Sequence, residues 1–339
     1  MDLNFPFGTP LVGHMDSVLD LSFSKVCDSG FYLASVGRDG QGIVRRGDTG
    51  EIFRSLLGHQ RAVRGVFVSE NATIVATGSD DCTARIWSVS SGNELAKFRH
   101  TQKVSSLALD TGSERMLTCS QERESKICLY DVNQSREVLC VYQKKLRGVR
   151  NVIFCRDDRS FLASSYDRNI ELWDILSGQS SHKISLPHHA KSVELCADGK
   201  TVTIGYGESV VFFDADTFNI HGHHKMPFKV IGASLHPQKK SFVCASLEGK
   251  ILKFNYDTGE QEDRFRAHVQ MGHNISGIKY SPDGEMYVSS STDGQITFWS
   301  QTSGNQNSDE DDSIASYRFY SRDDFLDEGD GYSEQEDYD

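Results

Sequence analysis

The sequence predicts an all-β protein: a seven-bladed β-propeller closed by an N-terminal strand and followed by a disordered acidic C-terminal tail. Three observations carry this. An aromatic residue recurs at Trp87, Tyr130, Trp173, Phe213, Phe254 and Trp299, and Arg45 holds the equivalent place in a first unit. These seven landmarks stand 42, 43, 43, 40, 41 and 45 residues apart, the period of one four-stranded blade. No comparable stretch keeps a helical period, whereas short apolar runs separated by turn residues recur throughout. The propeller is assigned to residues 1–304 and the tail to 305–339.

Taken in order, Thr9-Pro10-Leu11-Val12 precedes the first Gly13-His14, where the outer strand of a blade normally stands. At the other end Trp299 runs almost directly into Gln301-Thr302-Ser303-Gly304, so the last unit lacks an outer strand of its own. The N-terminal segment is expected to supply it and remove the open edge. The second unit shows the blade most plainly. Apolar runs at 62–68 and 74–77 are joined to the alternating Thr83-Ala84-Arg85-Ile86-Trp87 by the turn Ser79-Asp80-Asp81-Cys82, and a fourth strand follows around 94–98.

A Gly-His near the start of a unit and a Trp near its end are the marks of WD40 repeats. Such blades often bury a hydrogen-bonded set in which Asp orients His, His reaches a hydroxyl, and the hydroxyl meets an indole N–H. His59, Thr77, Asp81 and Trp87 supply the full set in blade two; His14, Ser35 and Asp39 supply it in blade one up to Arg45. Asp167 and Trp173 are its expected members in blade four, and Ser289, Asp293 and Trp299 in blade seven, with His268 or His273 as the imidazole. Blades five and six have lost most of it. A His-hydroxyl-Asp set also suggests catalysis, but no exposed nucleophile or oxyanion hole accompanies it. The sets are read as structural. With no nucleophile elbow, paired acid/base carboxylates or phosphate-cradling loop, no enzyme activity and no cofactor is expected.

Composition narrows the function further. Of 339 residues, 37% are hydrophobic and 25% charged, and no run of 18 apolar residues offers a membrane span. No membrane insertion is expected. Eight cysteines are scattered without a Cys-x-x-Cys pair, which points to small buried hydrophobes in a reducing compartment. Histidines at 188–189 and 221–224 fall where loops between blades are expected, and no metal site is assigned to them. The net charge of −12 is local: residues 305–339 hold 13 acidic and two basic residues, a net of −11, which leaves −1 for the rest. Binding of RNA is therefore expected to be indirect or weak. The tail places Ser308 before an acidic run, the context of a candidate phosphorylation site. The same tail is expected to dock in part on the basic rim of the propeller.

That rim is read from the repeat alignment. The residue just inside the start of each innermost strand is expected to face the mouth of the channel, which gives Leu19, Arg64, Ser105, Arg150, Lys191, Ile231 and Ser276. Arg64, Arg150 and Lys191, with Arg61 and Arg147 nearby in sequence, form the candidate partner-binding rim, suited to an acidic partner.

With the blades aligned, the chain resembles one WD40 branch, the serine-threonine kinase receptor-associated protein (Unrip) family. Val44-Arg45-Arg46-Gly47-Asp48-Thr49-Gly50-Glu51 carries that resemblance, with Ile204-Gly205-Tyr206-Gly207-Glu208-Ser209-Val210, Ala233-Ser234-Leu235-His236-Pro237, Tyr256-Asp257-Thr258-Gly259-Glu260 and Tyr280-Ser281-Pro282-Asp283-Gly284-Glu285. It spans about residues 9–300. Arg64, where the family tends to have Trp, and the extra Gln121-Glu122-Arg123-Glu124-Ser125 depart from it. The resemblance implies a non-catalytic scaffold, monomeric within a larger complex, in the cytoplasm and nucleus. Its partners would be Sm-like Gemin subunits and the survival motor neuron complex, in assembly of spliceosomal small nuclear ribonucleoproteins, with a link to receptor-kinase signalling. The propeller subunit of translation initiation factor three is the alternative. A ubiquitin-ligase receptor is disfavoured because Trp173-Asp174-Ile175-Leu176 lacks the Arg of that motif.

Overall fold

A computed structural model describes residues 8–120, 125–133, 138–143, 148–155, 157–267 and 274–300. Seven four-stranded antiparallel sheets stand in sequence order as blades one to seven, each running from an innermost to an outermost strand. In blade two these strands are Val63–Val68, Ile74–Ser79, Thr83–Ser88 and Glu94–Arg99. The central strands are buried on both faces, while the outermost strands of blades four and six are polar and largely exposed.

Seven buried apolar clusters hold the ring together, one at each seam between neighbouring blades. The repeated aromatic explains its own period here. Trp87 packs into the seam with blade one, Tyr130 into that with blade two, and Trp173, Phe213, Phe254 and Trp299 each into the seam with the preceding blade. A large flat side chain at this place fills the wedge between two sheets that splay apart.

The ring closes as the sequence predicts. Thr9–Leu11 pairs antiparallel with the last strand, with Thr9 opposite Phe298 and Leu11 opposite Ile296. Phe298 and Ile296 are fully buried, and Leu11 packs against the cluster they share with Val18, Leu21 and Leu33 of blade one. Arg45, the departure from the aromatic pattern, belongs to this closure. Its guanidinium is almost wholly buried and donates to the carbonyls of Val12 (2.6 Å) and Gly50 (3.1 Å). Gly50 has φ +70°, and a Cβ on it would meet Leu11 at 2.9 Å. The Gly-Asp-Thr-Gly turn and Arg45 thus form the bed on which the closing strand leaves blade seven.

Replacing Arg45 with Ala removes both donors and leaves two carbonyls at the seam uncompensated. The unfolding free energy from urea titration should fall by about 3 kcal/mol, and Arg45→Lys, with one head group for two acceptors, should recover only part of it. An unchanged urea midpoint would show that closure does not depend on this arginine.

Candidate functional site

The buried polar sets come first, because they decide whether His, Asp and hydroxyl groups are available for chemistry. In blade two His59 Nδ1 lies 2.8 Å from Asp81, Nε2 lies 2.8 Å from the Thr77 hydroxyl, and Trp87 Nε1 donates to that hydroxyl at 2.8 Å. One proton arrangement satisfies every group. Neutral His59 donates from Nδ1 to the carboxylate, and Thr77 donates to Nε2 while accepting from the indole. Burial holds His59 below the ordinary histidine value despite Asp81. Burial works to raise Asp81, but hydrogen bonds from Thr83, His59 and the Gln60 amide outweigh it and hold it at about 2. His14 repeats this arrangement with Asp39 and Ser35, both at 2.9 Å.

The other blades depart from the pattern in instructive ways. In blade seven Trp299 donates to Ser289 at 2.9 Å, and Asp293 accepts from the Gln295 amide at 2.8 Å; His268 and His273 lie outside the described residues. Blade four corrects the expectation for Asp167 and Trp173. Ala163 stands opposite Glu171, where Thr77 stands opposite Arg85, so no hydroxyl relays one to the other. Asp167 instead accepts from Ser165, and Trp173 stacks on Phe161 with ring planes 6° apart. In blade six Met226, Cys244 and Phe254 replace the polar trio, and Cys244 Sγ lies 3.4 Å from Met226 Sδ. Blade five uses Leu186, Ile204 and Phe213. Blade three holds a set that composition did not show. The Tyr130 hydroxyl reaches His100 Nδ1 at 3.3 Å, while His100 Nε2 and Thr118 Oγ1 are buried without a hydrogen-bond partner among the described residues.

The surface feature with functional geometry is the channel along the ring axis, of about 760 Å³. Leu19, Arg64, Ser105, Arg150, Lys191, Ile231 and Ser276 all line it. A local device puts them there. In six blades the innermost strand slips register at this residue, between Val18 and Asp20, Val63 and Gly65, Val149 and Asn151, Ala190 and Ser192, Val230 and Gly232, and Ile275 and Gly277. The residue in each gap is a β-bulge, unpaired in the ladder and re-aimed. In blade three Ser105 precedes the strand and donates to the Cys119 carbonyl at 3.1 Å.

The charges at this mouth are not those of an evenly cationic rim. Arg64 is bidentate on Asp80 at 2.7 and 2.8 Å, so its charge is compensated. Arg61 is exposed but does not line the channel, and Arg147 lies outside the described residues, as does the tail with Ser308. Arg150 lies over the Tyr166 ring at 4.9 Å, with its Nε buried and without a hydrogen-bond acceptor among the described residues. Neither Arg150 nor Lys191 forms an ion pair among the described residues. Burial, with Arg150 as a like charge beside it, lowers the Lys191 ammonium. Deeper in the channel Lys279 sits 3.8 Å from Glu194, and burial raises the carboxyls of both Glu194 and Asp20 against its pull. His221, His223 and His224 lie on the outermost strand of blade five, Ile220–Lys225, not in a loop as expected.

Comparison with known proteins agrees with this architecture. The family model "WD domain, G-beta repeat" matches residues 50–88, 137–174 and 260–300. The chain is 32% identical over 298 residues to the serine-threonine kinase receptor-associated protein of Gallus gallus, covering 87% of this chain and 83% of that one. It is 26% identical over 295 residues to the protein of the same name from Dictyostelium discoideum, covering 86% and 98%. Pre-mRNA-processing factor 17 of Homo sapiens matches at 20% over 255 residues, covering 73% of this chain and 36% of that one.

Two outcomes follow from the buried sets. Burial keeps His14, His59, His100 and His236 below the ordinary value of 6.5, with His100 at about 4. The unfolded chain therefore binds protons that the folded chain refuses, and stability should fall as pH drops from 6.5 toward 4. Asp81 adds a second loss as pH falls from 3.8 toward about 2. Urea midpoints taken at about pH 7 and about pH 5 check the first part; equal midpoints would contradict it. Thr77→Val strands both the indole N–H and His59, and should cost about 3 kcal/mol by the same titration.

Proposed function

Because the chain belongs to the serine-threonine kinase receptor-associated protein family of WD40 propellers, we propose that it is a scaffold in survival motor neuron complex-dependent assembly of spliceosomal small nuclear ribonucleoproteins. Its partners there are the Sm-like Gemin subunits, and it works in cytoplasm and nucleus. A further role in receptor-kinase signalling accords with the name its relatives carry. The similarity to a pre-mRNA-processing factor supports the splicing side of the reading.

The observation that carries the scaffold role is the bulged mouth. Seven side chains from seven blades converge on one end of the channel, and six of them stand on residues released from the sheet ladder. Leu19 and Ile231 add half-buried apolar surface among polar neighbours, the mixed character of a protein-binding face. The His, Asp and hydroxyl groups of blades one and two are committed to internal hydrogen bonds, so they support the fold and leave the mouth to recognition.

Affinity purification from source cells with the full chain, followed by mass spectrometry, tests this reading. Sm-like Gemin and survival motor neuron proteins should be recovered, and Leu19→Asp with Ile231→Asp should reduce that recovery at least tenfold. Recovery of translation initiation factor subunits instead would overturn the assembly role. Full recovery with the double variant would move the partner face off the mouth.

A further inference from the structure

The mouth is uneven in charge, and the unevenness points to the chemistry it recognises. Of its seven residues Leu19, Ser105, Ile231 and Ser276 are uncharged, and Arg64 is spent on Asp80. Among the described residues, positive charge without an ion pair remains in one sector of the mouth, on Arg150 of blade four and Lys191 of blade five. Tyr166 and His189 wall that sector, with ring centroids 5.6 Å apart, and the Arg150 guanidinium lies over the tyrosine face. Among the described residues the buried Arg150 Nε has no hydrogen-bond acceptor, and exposed Lys191 has no ion pair.

We propose that this sector, built from Arg150, Lys191, His189 and Tyr166, binds a phosphorylated side chain on a peptide segment of a partner protein. The proposal rests on the mouth being the partner face and names what one sector of it reads. Two adjacent cations match one dianion. A phosphomonoester carries about −1.5 to −2 charge and three acceptor oxygens, enough for the planar fork of Arg150 and the ammonium of Lys191 together. A single carboxylate leaves one cation uncompensated. Held as they are, the two cations work against each other: burial and the Arg150 charge lower Lys191, and burial, Lys191 and Arg150 lower His189. A bound dianion relieves that repulsion.

RNA fits the same surface poorly. A backbone presents charge after charge and needs a track of cations. Here the remaining mouth positions are neutral or compensated, and the channel just below carries the Asp20 and Glu194 carboxyls opposed by Lys279. A polyanion finds one landing point and then acid. A peptide finds that landing point together with apolar Ile231 on the neighbouring blade and Leu19 across the mouth.

The test uses purified full-length protein and a degenerate library of short peptides with a central phosphoserine, beside the same library with serine or glutamate there. Phosphoserine peptides should be retained at least tenfold over either control. Arg150→Ala with Lys191→Ala should abolish that preference, and Arg61→Ala, which removes an exposed cation outside the channel, should leave it intact. The pair Arg150→Lys and Lys191→Arg, which keeps both charges and guards against misfolding of the alanine variant, should retain part of it. Equal retention of all three libraries overturns the proposal, as does preference for the glutamate library. A uridine oligonucleotide that binds more tightly, and is lost with the same double substitution, overturns it in favour of RNA. Cellular partners that still depend on Leu19 and Ile231 while no phosphopeptide is retained would sink the phosphate site and spare the mouth.

Discussion

A sheet that radiates from an axis has an inner edge, and its N–H groups need acceptors where no further strand fits. The rest of this structure depends on how that edge is satisfied. Each acceptor comes from the inner strand of the blade before: Val66 N–H donates to Asp20 at 3.0 Å, Val68 to Ser22 at 3.1 Å, Val152 to Ser106 at 3.4 Å, Ala233 to Ser192 at 3.1 Å and Tyr280 to Ser234 at 2.9 Å. An unpaired buried amide costs on the order of 1–3 kcal/mol, so this requirement confines the position largely to short side chains with an oxygen. Where the acceptor is missing, the next blade comes closer instead. A Cβ on Gly65 would lie 3.1 Å from the Ser106 Cα, and one on Gly232 would lie 3.2 Å from Ile278. Polar stitches and glycine contacts together set the bore of the channel.

Farther out, the seams show how far a polar set can be taken apart. Blades one and two keep the His, Asp and hydroxyl members satisfied, and blades five and six replace the set with packed apolar groups. Both solutions are internally consistent. Blade three lies between them, with tyrosine for tryptophan and two buried polar atoms left over. A half-dismantled network is the costliest of the three states, which makes the His100 seam a weak joint of the ring.

What the sequence revealed follows the same physics. The seam aromatic was legible because a wedge between splayed sheets demands a large side chain at a fixed period, and the closing strand was legible because the last blade lacked one. The sets in blades one and two were legible because all their members are present. Asp167 and Trp173 misled because the missing member is an absence at position 163, seen only once strands are set in register. The seven mouth positions could be aligned, but not their charges: Arg64 meets Asp80 across a turn between different strands, and no one-dimensional pattern pairs them. Arg45 stood out as a broken repeat, though that its donors serve Val12 and Gly50 belongs to the three-dimensional seam.

The bulges tie these observations to function. In an ordinary strand position a residue must fit the ladder, the seam or the stitch, and substitution there costs stability. A bulged residue is excused from the ladder, and of the six only Ile231 also packs against a seam cluster. Leu19, Arg150, Lys191, Ile231 and Ser276 can therefore differ from one another with no common requirement of size or charge, although they occupy one structural position. Arg64 has taken on an ion pair and Ser105 a backbone acceptor, each moving toward a structural role. Arg150 and Lys191 have not. Two like charges kept side by side, with no partner among the described residues, are a cost to the free protein that the fold does not require. Such a cost is coherent where an anion arrives to offset it.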